Sequence, residues 1–354
     1  MALVAYWLEN FMEWPDAAAV GLYAGTGWSG TVGPPTVRNN SNFASGKALR
    51  YTDTNVSSGD YAFPSSITSG NLSFNNIRTF DSVALPTEDN SSGYMITFGV
   101  ANTYIRMVPG SSGLGLQNTW FLQVKTPLVG FRTIAQTTNN VLLGTKHSFG
   151  FSYDAASGGL SWYVDGVLLF FGVIGELSGL GMVGIRVGRM GSGTSSGIVE
   201  TGDFYLYGGV PFAGIREIRG GFPTGNDTLQ DWAFVGGASA WESVNNDFSL
   251  AATQYIEGSA AGQISDFTCP ISQTGVVRVD CVSIETYAVR TDVSATDVNS
   301  RYGQGASFSN GATYNPLQAS YQKFRTVFTT NPISGVGFVP SDLPAIKDGV
   351  RRST

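Results

Sequence analysis

The sequence predicts an all-β protein made of two β-sandwich domains. Three observations carry this: a composition rich in turn formers, hydrophobic residues that alternate with period two, and a length that suits two sandwiches. The 354 residues include 46 glycines and only 13% charged residues, so the Glu, Lys and Arg that favour helices are scarce. The hydrophobic fraction of 42% is enough for packed cores. Single sandwiches run about 100 to 250 residues, which favours two domains over one.

The alternation recurs throughout the first half. Ile96, Phe98 and Val100 precede an Ala101-Asn102 turn, with Tyr104 to Val108 as the return strand. Trp120, Leu122 and Val124 alternate next, then Phe149, Phe151 and Tyr153. Leu160, Trp162 and Val164 lead into Asp165-Gly166, a strong hairpin dipeptide. Val183, Ile185 and Val187, then Phe204 and Leu206, close the series, and no long segment has the helical period. The aromatic run from Tyr6 to Trp14 reads as an edge strand over the core or as an arm reaching a neighbouring subunit. Pro and Gly between Val210-Pro211 and Gly220-Gly221 mark a connection, giving domains at 1–210 and 222–354 with a linker at 211–221. In the second domain Val277, Val279 and Cys281 alternate, and Tyr321 to Phe328 puts Phe324 and Phe328 on one face.

Charge narrows the partners. The net charge of −6 comes with scattered basic residues, and phosphate binding needs them clustered, so nucleic acid is not expected. The pair Arg351-Arg352 reads as a solvated tail. No apolar run approaches the roughly 18 to 20 residues of a membrane span. The stretch from Met1 to Val20 has no basic region and carries Glu9, Glu13 and Asp16, unlike a secretory leader, so synthesis and use without Sec export are expected.

Candidate chemistry is sparse. The single histidine, His147, reads as structural. Cys269 and Cys281 flank a turn at Gln273-Thr274-Gly275; a hairpin there would set them nearly opposite, as a disulfide or as two reduced thiols, the state favoured in a cytoplasmic product. Asp53, Asn55, Ser57 and Asp60 place oxygens at nearly alternate positions, which reads first as an Asx-rich polar turn and second as a calcium site. Trp28, Tyr51, Tyr61, Trp232 and Trp241 could stack on sugar rings or fill cores. No phosphate loop, Ser-His-Asp order or CxxC pair occurs, so no catalytic residue and no cofactor is assigned.

Two resemblances add to this reading. Phe149, Phe151, Tyr153, Asp154, Gly158, Leu160, Trp162, Tyr163, Val164, Asp165 and Gly166 together resemble the strand–turn–strand of concanavalin A-like and laminin-G-like domains. Gly184 to Gly188 and Asp203 to Tyr207 resemble that family's closing strands. The likeness spans about residues 1–210 and implies a jelly-roll sandwich. It says little about function. Some members are glucanases, whose retaining chemistry needs two carboxylates about 5 Å apart, set as Glu-x-Asp-x-x-Glu or with one more spacer. That run is absent. Glu200 with Asp203 comes nearest, and odd spacing sets them on opposite faces of a regular strand.

The second resemblance spans about 220–351. Phe222 to Trp232, then Trp241, Val244 and Asn245, then Lys347 to Arg351 are similar to a module of tailed-bacteriophage structural proteins. Asn226 before Asp227, and Lys347-Asp348-Gly349-Val350-Arg351 in place of a simpler Gly-Val-Lys, depart from it. It implies a non-enzymatic virion structural protein, assembled in the host bacterial cytoplasm and placed on the particle exterior as a tail or tail-tip accessory or a head-decoration subunit. Its partners would be other virion proteins of the tail, portal/neck or capsid, and further copies of itself in a symmetric oligomer. A glycan- or receptor-binding lectin module of the tail, meeting host-surface glycan, is the alternative. A glycan hydrolase is the second.

Overall fold

The structure is a computed structural model. It describes residues 3–12, 28–30, 35–52, 58–78, 92–110, 116, 118–138, 140–189, 198–212, 214, 216–244, 253–291, 296–316 and 321–353. The chain divides into two compact units, which part between Ile218 and Arg219.

The first unit is two antiparallel sheets. The first sheet runs β13 (Val167–Val173), β12 (Gly159–Val164), β11 (Lys146–Asp154), β6 (Ser69–Arg78), β15 (Ile198–Gly208), β4 (Lys47–Thr52) and β3 (Thr36–Asn39), with β1 (Val4–Glu9) also on β15. The second runs β10 (Arg132–Gln136), β9 (Trp120–Lys125), β8 (Tyr104–Pro109), β7 (Ser92–Phe98), β14 (Met182–Arg189), β5 (Ser58–Ile67) and β2 (Trp28–Gly30). Side chains alternate between faces along a strand, so Leu72, Phe74, Phe149, Phe151 and Trp162 from one sheet meet Tyr94, Ile105, Met107, Trp120 and Leu122 from the other, all buried. Phe74 lies 4.3 Å from Tyr94, and Trp162 Nε1 donates to Met107 Sδ at 3.1 Å. Buried Asn76 donates to the Tyr94 hydroxyl at 2.8 Å, and burial pushes that phenol up to about 12. The aromatic N-terminus forms β1, whose Trp7 stacks on Tyr61 at 4.4 Å.

The local signals explain the turns. Asp165 and Gly166 both hold positive φ, 50° and 77°, between paired Val164 and Val167, as a type I′ turn requires. Asn102, with φ of 58°, closes the β7–β8 turn.

The second unit has a five-stranded sheet in the order β16 (Gly225–Gln230), β19 (Ile264–Thr268), β24 (Ile346–Arg352), β21 (Val298–Gln304) and β22 (Ser307–Tyr314). Over its apolar face lies a pair of strands, β20 (Val282–Ala288) and β23 (Gln322–Phe328). Val282, Ile284, Tyr302, Phe338, Leu343 and Ile346 form the core between them. A small pair, β17 (Ala233–Val235) and β18 (Tyr255–Glu257), one short helix, α1 (Ala240–Val244), and a 3-10 turn at Pro340–Ala345 are the other described elements of this unit. The opposite face of the sheet is ionic. Arg301 grips buried Asp266 at 2.8 and 3.3 Å, and Lys347 reaches both Asp227 oxygens at 2.9 Å.

The expected hairpin around Gln273-Thr274-Gly275 is corrected. The turn forms, with Val276 N donating to Gln273 O at 3.0 Å. Its flanks do not pair: β19 lies between β16 and β24, and β20 pairs with β23. Val277, Val279 and Cys281 are in no strand, and Val277 is 94% exposed. Three alternating apolar residues were not matched by a partner strand able to bury them.

Candidate functional site

The two outer faces of the first unit differ. On the first sheet, Phe43 of the Asn40–Gly46 loop packs with Ala48 and Ile77. Beyond β15 the chain then turns back across the same face. Phe212 stacks on Tyr163 at 4.1 Å and lies so close to Gly150 that a Cβ there would meet its ring at 2.2 Å. Arg216 sits 4.0 Å over the Tyr207 ring and donates to its hydroxyl at 2.9 Å. Asn71 donates to Val210 O, and Asn75 to Arg216 O. This face is therefore covered by its own chain.

The outer face of the second sheet has a different make-up. Strand registers place one residue per strand on a single row on the side away from the core, with Met95 and Arg106 in its middle buried. Ser29 on β2 is opposite Asp60 on β5, which is opposite Arg186 on β14. Arg186 is opposite Met95 on β7, and Met95 opposite Arg106 on β8. Gln123 on β9 and Thr133 on β10 complete it. Neighbouring strands lie about 4.8 Å apart, so the row spans roughly 29 Å. Its polar groups are tied in sequence. Arg186 holds both Asp60 oxygens at 2.5 and 2.9 Å, Arg106 Nε donates to Gln123 Oε1 at 2.7 Å, and Gln123 Nε2 donates to Thr133 Oγ1 at 3.1 Å. Hydrogen bonding to Asp60 raises the Arg186 pKa further, so this cation persists at any working pH.

Beside the row lie two half-buried rings, Tyr104 and Phe131, 5.4 Å apart. Phe131 covers the Arg106 guanidinium at 3.4 Å, and the Lys125 ammonium stands 4.9 Å from the same ring. The accessible part of the row is thus pre-ordered amide and hydroxyl groups and the Arg186 guanidinium, with the buried Arg106 holding Gln123 in place beside apolar ring surface, a combination that suits a ligand rich in both hydroxyls and C–H faces. It contains one carboxylate, Asp60, already engaged by Arg186.

The residues singled out in the sequence fall as follows. Asp53, Asn55 and Ser57 lie outside the described residues, and Asp60 belongs to the row. Among the described residues no group of three or more His, Cys, Asp or Glu could hold a metal ion. Cys269 and Cys281 are not joined in a disulfide; Cys269 Sγ–H donates to Gly221 O at 3.2 Å, and burial raises its pKa. His147 Nδ1 meets Asp165 Oδ2 at 2.6 Å and Nε2 lies 2.6 Å from the Thr145 hydroxyl, a tie that fixes the hairpin base.

Glu200 and Asp203 both turn to the covered face of the first sheet. A bulge between Gly202 and Tyr205, with Asp203 at a φ of 55°, cancels the odd spacing. Glu200 is held by Arg50 at 3.0 Å and Asn40 at 2.6 Å. Asp203 is fully buried against Asn75 at 2.9 Å, with its pKa pushed up to about 6 by burial.

Of the five aromatic candidates, Trp28 and Tyr51 are core residues, and Tyr61 is stacked on Trp7. Trp232 packs against Gly258, and Trp241 N donates to Asn226 Oδ1 in the second unit. The row residues other than Asp60 were missed. Their signal was present: once Trp120, Leu122 and Val124 are read as inward, Phe121, Gln123 and Lys125 must face out. Which strands stand side by side was not readable.

No protein family and no curated protein matches the sequence. Among solved structures, the chain is similar to domain 4 of the extracellular arabinanase AbnA from Geobacillus stearothermophilus, with TM-score 0.40 and 14% identity, covering 59% of this chain and 94% of that one. A Bacillus licheniformis β-glucanase gives TM-score 0.35 and 16% identity, over 58% and 98% of the two chains. A carbohydrate-binding module from Bacillus subtilis gives 0.33 and 11%, over 52% and 96%. At these values the sandwich assignment rests on the strand registers themselves.

Proposed function

We propose that this is a non-enzymatic, saccharide-binding protein of the bacteriophage virion exterior, which lays an extended glycan chain across the outer face of the second sheet. The row from Ser29 to Thr133 carries the reading. Binding needs ordered hydrogen-bonding groups and an apolar platform, and the row with Tyr104 and Phe131 supplies both. Hydrolysis would need a second carboxylate facing Asp60 across a sugar bond, and the other row residues are not acids. The virion location draws on the resemblance of Phe222–Trp232 and Lys347–Arg351 to phage structural modules.

A glycan array read with purified protein tests the proposal. Saturable binding that weakens at least tenfold in Gln123→Ala is the expected result; binding to no glycan, or equal binding by the variant, would overturn it. Peptides of the chain in mass spectra of purified particles test the location.

One observation favours a second reading, symmetric assembly. Strand β13 is an edge whose seven residues, Val-Leu-Leu-Phe-Phe-Gly-Val, contain no charge or proline, and Val167, Phe171 and Val173 are 60%, 79% and 70% exposed. Edges that must stay unpaired usually carry such guards. Sedimentation should show an oligomer that Phe171→Lys dissociates; a monomer at all concentrations would remove this reading.

A further inference from the structure

On the ionic face of the second unit's sheet, Lys347 and Asp227 meet in a geometry that permits a bond as well as an ion pair. Asp227 stands on β16, an edge of the sheet and the first strand of the unit, and Lys347 stands on β24, the last. The β16–β19 register shifts between Asn226 and Gln230, so Asp227 lies in an irregular stretch of the edge strand. Its side chain reaches across β19 to Lys347, whose Nζ lies 2.9 Å from each of its two oxygens. Two equal contacts bring Nζ within roughly 3.3 Å of the carboxyl carbon, inside the near-attack separation of about 3–3.5 Å. The Lys347 and Asp227 side chains are only 20% and 14% exposed, and the Phe308 ring stands 5.8 Å from the ammonium.

A second acid completes the group. Asp266 on β19 is buried and gripped by Arg301. Burial pushes its pKa up to about 6, and the charges of Arg301, Asp227 and Lys347 all act on it. A carboxyl of that strength exchanges protons near neutral pH. Gly349 on β24 leaves the space it occupies, since a Cβ there would meet Asp266 Oδ1 at 2.2 Å.

We propose that Lys347 and Asp227 condense to an amide, tying the first and last strands of the second unit covalently. Lys347 Nζ passes a proton to Asp266 and attacks Asp227 Cγ. The N–C bond forms, one C–O bond breaks, and the departing oxygen takes up the protons and leaves as water. One ammonium and one carboxylate become one neutral amide and one water, with no oxidant, reductant or cofactor consumed. Dilute amines and acids do not condense in water, but groups held in contact react at effective concentrations of about 10⁵ M or more. The neutral amide also removes two charges that burial penalises. The bond closes a loop spanning 120 positions of the chain, which restrains the unfolded state as a disulfide of that span does.

Mass spectrometry of the intact, denatured full chain tests the proposal. The parent should weigh one water less than Lys347→Arg once the substitution itself is subtracted, and its proteolytic digest should contain the Asp227 and Lys347 peptides joined. Lys347→Arg and Asp227→Ala should show the full sequence mass. Asp266→Asn should fold, by circular dichroism, yet stay mostly unjoined, and Asp266→Glu should restore joining. Lys146→Arg, whose ion pair with Glu217 belongs to the first unit, should match the parent. A parent at full sequence mass with no joined peptide would overturn the proposal and leave an ion pair. A missing water that persists in Lys347→Arg would place the bond elsewhere and overturn it equally. Complete joining in Asp266→Asn would overturn the relay role of Asp266. The parent's own mass and joined peptide decide the matter where a variant fails to fold.

Discussion

Replacing Asp348 by Asn should stabilise the second unit more at pH 8 than at pH 5. Asp348 shares a face of β24 with Ile346 and Val350 and stands between Phe267 on β19 and Tyr302 on β21. Its Oδ1 is buried without a hydrogen bond. Burial first, and then the nearby Asp266 charge, push its pKa up to about 7. The folded state thus binds this proton more tightly than the unfolded chain does. Stability that is present below the ordinary carboxylate pKa is lost as pH rises towards 7. From pH 5 to pH 7 the folded carboxyl keeps its proton while the unfolded one is ionised. Two pH units at about 1.4 kcal/mol each give up to about 3 kcal/mol. The residue as a whole is only partly buried, and water reaching its other oxygen would halve the effect to about 1.5 kcal/mol. Asn keeps the shape and has no such cost. Urea unfolding followed by hydrogen exchange in the β19, β21 and β24 peptides isolates this unit. An equal gain at both pH values, or a larger one at pH 5, would refute the reasoning.

Two further outcomes follow from packing. Arg301→Ala leaves Asp266, 1% exposed, without its bidentate partner and should cost about 3–5 kcal/mol; the double variant Arg301→Ala/Asp266→Asn should recover much of this in the same urea assay. Gly150→Val forces Phe212 off the first sheet, since a Cβ there meets its ring at 2.2 Å, and should cost about 2 kcal/mol. In a Phe212→Ala background the same change should be close to neutral, so the two effects should not add.

Much of the first unit was legible because strands such as β9, β11 and β12 carry most of their large apolar side chains on one face, whatever covers the other. Phe149, Phe151, Tyr153, Leu160, Trp162 and Val164 alternate with less buried or outward residues, and all six are core. Asp165-Gly166 states its turn type in two residues, because positive φ at both positions excludes most alternatives. The second unit was less readable. Its strands mix an ionic face with an apolar one, so Asp266 and Arg301 interrupt the hydrophobic pattern, and Asp348 breaks the apolar face itself. The Cys269–Cys281 hairpin was misread because a local turn does not reveal which distant strand takes each flank. The bulge at Asp203 was likewise unreadable, since one inserted residue moves a side chain to the other face without leaving a mark in composition. The proposed binding row depends on seven strands meeting in a particular order, and the sequence singles out only Asp60 of it, for another role.

The account stands or falls on whether the outer face of the second sheet is where ligand sits. Hydrogen exchange of the full chain with and without a glycan that it binds on the array tests this directly. Protection of Ser58–Ile67, Met182–Arg189, Tyr104–Pro109, Trp120–Lys125 and the Phe131–Gln136 edge, with the second unit unchanged, is the result predicted. Protection that spares these segments while binding is saturated, or that falls only in Val282–Phe328, would contradict it.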